Sequence, residues 1–198
     1  IEINYTGTEV VFKPGSILGG SLVFDCGLER GIGYFLEPIL LIAPFSKFAF
    51  KLSLTGLTSH HEDSSIDIIR TVFIKILGMF GVVDGLDLKI LKRGSPPLGG
   101  GEVSFSCPVL NSLKNVDMSD IGRVKRIRGI AAVTRISPQA SNRLVESCRS
   151  VLNTFIPDIY IYSDVFKGPE AGQSPGFGIS LVAESTTGSL LHSDLIGN

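Results

Sequence analysis

Between residues 47 and 54 the chain alternates strictly, with Phe48, Phe50, Leu52 and Leu54 set against Lys47, Ala49, Lys51 and Ser53. A period of two predicts a strand with one face buried. Shorter β-prone runs at 9–12 and 22–25 flank the turn-rich Lys13-Pro14-Gly15-Ser16 and Gly19-Gly20, which suggests a hairpin. Residues 32–43 are too long and too continuously apolar for an edge strand, so a buried helix is expected there, bent or begun at Pro38. Along 65–80 the polar Asp67, Thr71 and Lys75 recur every four residues and leave one narrow solvent stripe on an otherwise apolar helix. A serine before it and Gly81 after it act as cap signals. Strands are expected at 86–91 and 102–109, joined by a connection at 93–101 too rich in Gly and Pro to be regular. The order is βαβαββ.

The pattern changes near 115–122. A long strand-like stretch at 124–136 follows, with Arg and Lys interleaved among Ile and Val. Ser137-Pro138 supplies an N-cap and a first-turn proline, and Ala140, Leu144, Cys148, Val151, Leu152 and Phe155 mark one face of the next helix. Pro157 stops it; 159–162 reads as a strand, 167–178 as a Gly/Pro loop, and 179–184 with 190–191 as a β-rich end. This second unit reads as βαββ, and the division falls into 1–118 and 119–198.

Composition narrows the function classes. With 198 residues the chain fits one domain or two small ones, and 43% hydrophobic against 19% charged residues argues against disorder. The apolar run 32–45 is interrupted by Glu37, Pro38 and Pro44 and is too short for a membrane span. The opening Ile1-Glu2-Ile3-Asn4-Tyr5 carries neither an initiator Met nor a leader, so a fragment is expected. Cys26, Cys107 and Cys148 are odd in number and lack CxxC spacing, which suggests buried thiols in a reducing compartment.

Net charge is -1, yet residues 120–150 hold seven basic side chains against two acidic ones, an excess of five that leaves the remainder at about -6. One phosphate-attracting face follows, and the candidate RNA-facing set is Lys92, Arg93, Arg123, Lys125, Arg126, Arg128 and Arg135. The competing reading is a strand edge guarded by charge. The loop at 93–101 either turns backbone N–H groups toward a phosphate or simply connects two strands; no Gly-Lys-Ser/Thr follows it, so it is not a P-loop. His60-His61-Glu62-Asp63 suits a metal or acid–base site by residue type, but an exposed turn before a helix accounts for it better, and His192 stands alone. No Ser/His/Asp or Cys/His set can be assembled.

The run Arg93-Gly94-Ser95-Pro96-Pro97-Leu98-Gly99-Gly100-Gly101-Glu102-Val103 resembles the RNA 3'-terminal phosphate cyclase family. The likeness extends to Lys13-Pro14-Gly15 with Gly19-Gly20, to Asp67-Ile68-Ile69-Arg70, to Arg128-Gly129, and to Gln173-Ser174-Pro175-Gly176 ahead of Ser180-Leu181. Phe105-Ser106-Cys107-Pro108-Val109, Lys125-Arg126-Ile127-Arg128-Gly129 and Phe155-Ile156-Pro157-Asp158-Ile159-Tyr160-Ile161-Tyr162 are similar to the cyclase-like branch found in eukaryotic ribosome biogenesis. The resemblance implies an α/β (α+β) fold: a large domain of repeated βαβαββ units containing 1–118, and a smaller inserted βαββ domain from 119 onward.

In cyclases a C-terminal histidine accepts adenylate from ATP and the RNA 3'-phosphate closes to a 2',3'-cyclic phosphate; that histidine's segment is expected beyond residue 198. The cyclase motif Thr-Asp-Asn-Pro corresponds here to Thr58-Ser59-His60-His61, and Ser-Ala-Gly-Ser to Gly27-Leu28-Glu29-Arg30-Gly31. Both departures crowd or recharge a nucleotide site, so no catalytic residue, cofactor or metal is assigned. The branch implies a nucleolar, non-cyclase factor for early pre-rRNA processing toward the small-subunit rRNA. Its implied partners are pre-rRNA, a small nucleolar ribonucleoprotein and a large ribosome-assembly GTPase, with no membrane. Alternatives are a pre-rRNA endonuclease, an active ATP-dependent cyclase, or a protein that works only by docking to the GTPase.

Overall fold

The computed structural model describes residues 1–197. Strands β1 (Glu2–Ile3) and β2 (Val10–Val11) pair with each other, and β3 (Gly20–Asp25), α1 (Ile32–Ile42), β4 (Phe50–Gly56), α2, β5 (Asp87–Lys92) and β6 (Gly101–Cys107) give the βαβαββ order. Helix α2 has three continuous segments: α-helical Ile66–Ile68, π-helical Ile69–Phe73 and α-helical Ile74–Met79. The four-stranded sheet runs β3-β4-β6-β5, with β3 parallel to β4 and the other neighbours antiparallel. Its core is Leu52 and Leu54 of β4, Val103 and Phe105 of β6, Ile32, Leu36 and Leu40 of α1, and Ile66 and Ile69 of α2.

Three expectations change here. The hairpin is β1–β2, because the Asn4 carboxamide oxygen accepts from the Thr8 and Glu9 amides and closes that turn, while β3 lies parallel to β4. Helix α1 begins at Ile32, ahead of Pro38, which sits inside it on the exposed side and removes only one amide from the ladder. Phe48 lies before β4 and is exposed, so the alternation holds only from Phe50 onward.

The second unit comprises β7 (Val124–Thr134), α3 (Pro138–Leu152), β8 (Ile159–Phe166), β9 (Gly176–Ser185) and β10 (Leu190–Gly197), in a sheet ordered β10-β9-β7-β8. It carries one strand more than the pattern counted, since the segment at 190–191 extends to an eight-residue strand paired along β9. Helix α3 packs Leu144, Val145, Cys148 and Leu152 on Ile127, Ala131, Ile159, Ile161 and Ile179. Val151 and Phe155 are exposed instead, Val151 at the edge of that face and Phe155 beyond the helix's last residue. Ser137 holds the N-cap position, but its hydroxyl bonds the Gln139 side chain rather than a helix amide.

Helix α2 joins the units because it is apolar on two sides. Ile66 and Ile69 enter the first core, whereas Ile68 and Val72 pack on Val182 of β9 with Leu190 of β10 alongside. This double burial explains the narrow polar stripe and corrects part of it: Lys75 is exposed, but Asp67 is buried. Among the described residues no helix is long and apolar enough to cross a membrane, and all three cysteines are free. Burial pushes the thiols of Cys26 and Cys107 up to about 11, so both remain protonated at neutral pH.

Candidate nucleic-acid interface

Arg93 leaves β5 directly into the seam between the units and is 3% exposed. Its Nη1 and Nη2 donate to the two carboxylate oxygens of Asp67 at 2.7 and 2.8 Å, and its Nε and Nη2 donate to Oδ2 of Asp164 at 3.1 and 2.6 Å. The guanidinium also lies 5.4 Å from the centre of the Phe166 ring. Burial disfavours the charge, but Asp67 and Asp164 more than offset it, so the guanidinium is held still more firmly protonated than usual. Arg93 is therefore removed from the RNA-facing set: it is buried and makes four hydrogen bonds to Asp67 and Asp164. Asp67 and Asp164 are the partners that sequence reading missed. The available signal was Asp67, an acidic residue on a strongly apolar helix; Asp164 lies beyond the strand expected at 159–162 and gave none.

The Gly/Pro loop belongs to the same seam. The Arg93 amide donates to Glu170 O, the Gly94 amide to Thr58 Oγ1, the Leu98 amide to Ser174 Oγ, and the Gln173 amide returns a bond to Gly99 O. These donors are engaged within the protein, which favours a connecting loop over a phosphate cradle. Gly172 has φ +60°, and a Cβ there would stand 2.4 Å from the Arg93 carbonyl oxygen, so the approach of the two loops requires glycine. Ser95 and Thr134 share a hydroxyl bond of 3.0 Å across the seam, and Ser65 and Ser180 one of 3.2 Å. The cleft they line holds about 20 Å³, room for roughly one water molecule.

The loops that carry Arg30 and Asp63 meet each other. Arg30, from the first, donates through Nε to both oxygens of Asp63 at 3.0 Å, while the Gly31 amide donates to Asp63 Oδ2 at 2.7 Å. His60 Nδ1 stands 3.2 Å from the same oxygen, and the Arg30 guanidinium covers the Tyr34 ring at 4.0 Å. The hydrogen bond from Arg30 holds the Asp63 carboxyl below its ordinary range, against the opposing effect of burial. Among the described residues no group of three or more His, Cys, Asp or Glu side chains is gathered as a metal site.

The remaining basic residues stay at the surface, in separate places. Lys125 Nζ reaches Glu184 Oε1 at 3.0 Å and Arg126 Nη2 reaches Glu184 Oε2 at 2.6 Å. A register shift between Val124 and Arg126 brings both cations onto this one carboxylate. Arg126 chiefly, and Lys125 with it, hold Glu184 below its ordinary pKa, with burial opposing. Arg128 pairs with Asp158 at 2.8 Å, and Lys92 with Glu102 at 2.8 Å on the other sheet. Arg123 is exposed beside the bulge, whereas Arg135, at φ +52°, donates to Gly172 O roughly 30 Å from Arg126 by strand geometry. The structure thus gathers Arg123, Lys125, Arg126 and Arg128 at one end of β7 and leaves Lys92 and Arg135 outside. Of these pairs only Arg128–Asp158 is exposed on both sides; water screens it, so phosphate oxygens can compete for Arg128, whereas Glu184 holds Lys125 and Arg126 from a part-buried position.

The sequence profile described as RNA 3'-terminal phosphate cyclase matches residues 1–192. A mouse RNA 3'-terminal phosphate cyclase-like protein is 53% identical over 200 residues, covering 100% of this chain and 53% of its own length. A fission-yeast (Schizosaccharomyces pombe) rRNA processing protein, rcl1, is 56% identical over 190 residues, covering 95% of this chain and 52% of its own length. An Arabidopsis thaliana probable RNA 3'-terminal phosphate cyclase-like protein is 42% identical over 98% of this chain and 52% of its own length. The chain spans about half the length of these curated relatives. With the profile matching nearly end to end and an α/β core of βαβαββ order, the chain belongs to the RNA 3'-terminal phosphate cyclase family.

Proposed function

We propose that this protein is a non-cyclase rRNA-processing factor that binds pre-rRNA through the basic end of β7. The observation that carries the reading is its 56% identity to a relative named for rRNA processing. Two physical features support it. Arg30 and Asp63 tie together the two loops that, by the family resemblance, replace the nucleotide-side motifs of cyclases. The cluster of Arg123, Lys125, Arg126 and Arg128 then offers cations to phosphates on a chain whose remainder is acidic. The finer assignment places this action in early cleavages toward the small-subunit rRNA, in the nucleolus, together with a small nucleolar ribonucleoprotein and a large ribosome-assembly GTPase. The units 1–118 and 119–198 are proposed as part of the large repeat domain and the smaller inserted domain.

The test uses RNA bearing a 3'-phosphate, with ATP present and a working cyclase alongside, and reads binding and cyclic ends together. The protein is expected to bind the RNA and to form no cyclic ends. Substituting Lys125→Gln, Arg126→Gln and Arg128→Gln is expected to weaken binding and flatten the log–log salt slope by about 2, since about 0.7 counterions are released per phosphate contact on a single strand. Glutamine is preferred to glutamate because new carboxylates would face Glu184 and Asp158. Cyclic ends, or an unchanged affinity and slope, would overturn the reading.

A further inference from the structure

Tyr160 and Tyr162 lie on β8, the edge strand of the second sheet, and are 63% and 54% exposed. They share one face. By register Tyr160 stands beside Arg128 and Tyr162 beside Ile130, while the intervening Ile161 is buried in the core under α3. Helix α2 covers this same face over β9 and β10, through Ile68 and Val72 on Val182 and Leu190, and Arg93 covers β8 from Asp164 onward. The β8 end is left open. Next to it, a niche of about 70 Å³ is lined by Thr71, Lys75, Arg128, Ile130, Ser180 and Val182. Lys75 is exposed, and Arg128 is paired at the surface with Asp158, which a phosphate would displace.

We propose that Tyr160 and Tyr162 form a stacking platform for unpaired RNA bases, with Lys75 and Arg128 holding the adjoining phosphates. The proposal deepens the RNA-binding reading above and rests on it. Exposed aromatic rings beside cations suit single-stranded nucleic acid, because every base presents a π-face and every linkage a charge. Residues two apart on a strand are about 6.6 Å apart, well beyond the separation of bases stacked directly on one another, so the rings suit bases splayed out of a stack, as in unpaired RNA. The cationic surroundings favour RNA over an apolar protein segment.

The intact protein is titrated into a fluorescent unpaired 12-nucleotide RNA and into the same sequence fully paired, at several salt concentrations. Tyr160→Ala with Tyr162→Ala is expected to weaken binding of the single strand about tenfold or more. It should change duplex binding little and leave the salt slope intact, since no counterion contact is lost. Phenylalanine at both positions, which keeps the rings, is expected to restore the affinity. Equal wild-type affinity for single strand and duplex, or an alanine variant that binds like wild type, would overturn the platform. So would a photocrosslinker at Tyr160 that captures protein and no RNA. If binding falls in the Lys125/Arg126/Arg128 variant but not in the tyrosine variant, this proposal alone fails; if the wild type binds neither RNA, both fail.

Discussion

At the scale of single residues, Arg93 separates charge that recognises something outside from charge that holds the protein together. From composition it is one basic residue among several near a glycine-rich loop, and nothing local tells it from Lys92. In the fold it is 3% exposed between Asp67 and Asp164, and Arg70 adds a second contact to Asp67 at 3.1 Å. Removing one member of a buried ion cluster strands the others without water. Arg93→Ala is expected to lower stability by about 3–5 kcal/mol, read as the midpoint of urea unfolding. Arg93→Lys should recover only part, because an ammonium cannot make the paired bonds of a guanidinium. A wild-type midpoint in the alanine variant would show that the seam does not depend on this cluster. The pairing of Asp67 and Asp164 with Arg93 was illegible because the partners stand 26 and 71 residues apart.

At the scale of elements, α2 is the informative case. Its period was legible, and so was the thinness of its polar stripe; that a second sheet causes the thinness was not. A helix apolar nearly all round is buried on more than one side, but the pattern does not say by what. The structure predicts separable effects for residues one step apart. Ile69→Ala opens the first core and Ile68→Ala the contact with Val182, and each is expected to cost about 2–5 kcal/mol. Amide exchange should tell them apart. Ile68→Ala is expected to speed exchange in β9 and β10, and Ile69→Ala in β4 and β6. Identical exchange maps would mean that the two cores open as one. Strand β10 was undercounted because Leu190-Leu191-His192-Ser193-Asp194-Leu195 is a mixed run whose pairing with β9 is what makes it a strand.

At the scale of the whole molecule, much apolar surface lies open. Leu22, Val23 and Phe24 of the edge strand β3 are each at least half exposed. A groove of about 530 Å³ between α1 and α2 is lined by Leu41, Phe45, Phe73, Ile76, Leu77 and Phe80. Exposed apolar patches of this kind mark surfaces that associate. Residues 1–198 by themselves are expected to self-associate as concentration rises, which light scattering after size exclusion would reveal, and Leu41→Glu with Phe45→Glu should reduce it. A monodisperse monomer at high concentration would contradict this.

Sequence alone determined the elements whose information is local: the alternation of β4, the apolar period of α2 and α3, the turn chemistry of 93–101, the cationic interleaving of β7, and the family motifs in their order. Tertiary structure decided whatever depends on partners distant in the chain. It set which cations face water and which are enclosed, how β3 pairs, that 190–197 forms a full strand, and that Tyr160 and Tyr162 share an open face with Arg128. The physical reason is that backbone preference and periodicity act over a few residues, whereas burial, ion pairing and strand register are properties of contacts that exist only once the chain has closed on itself.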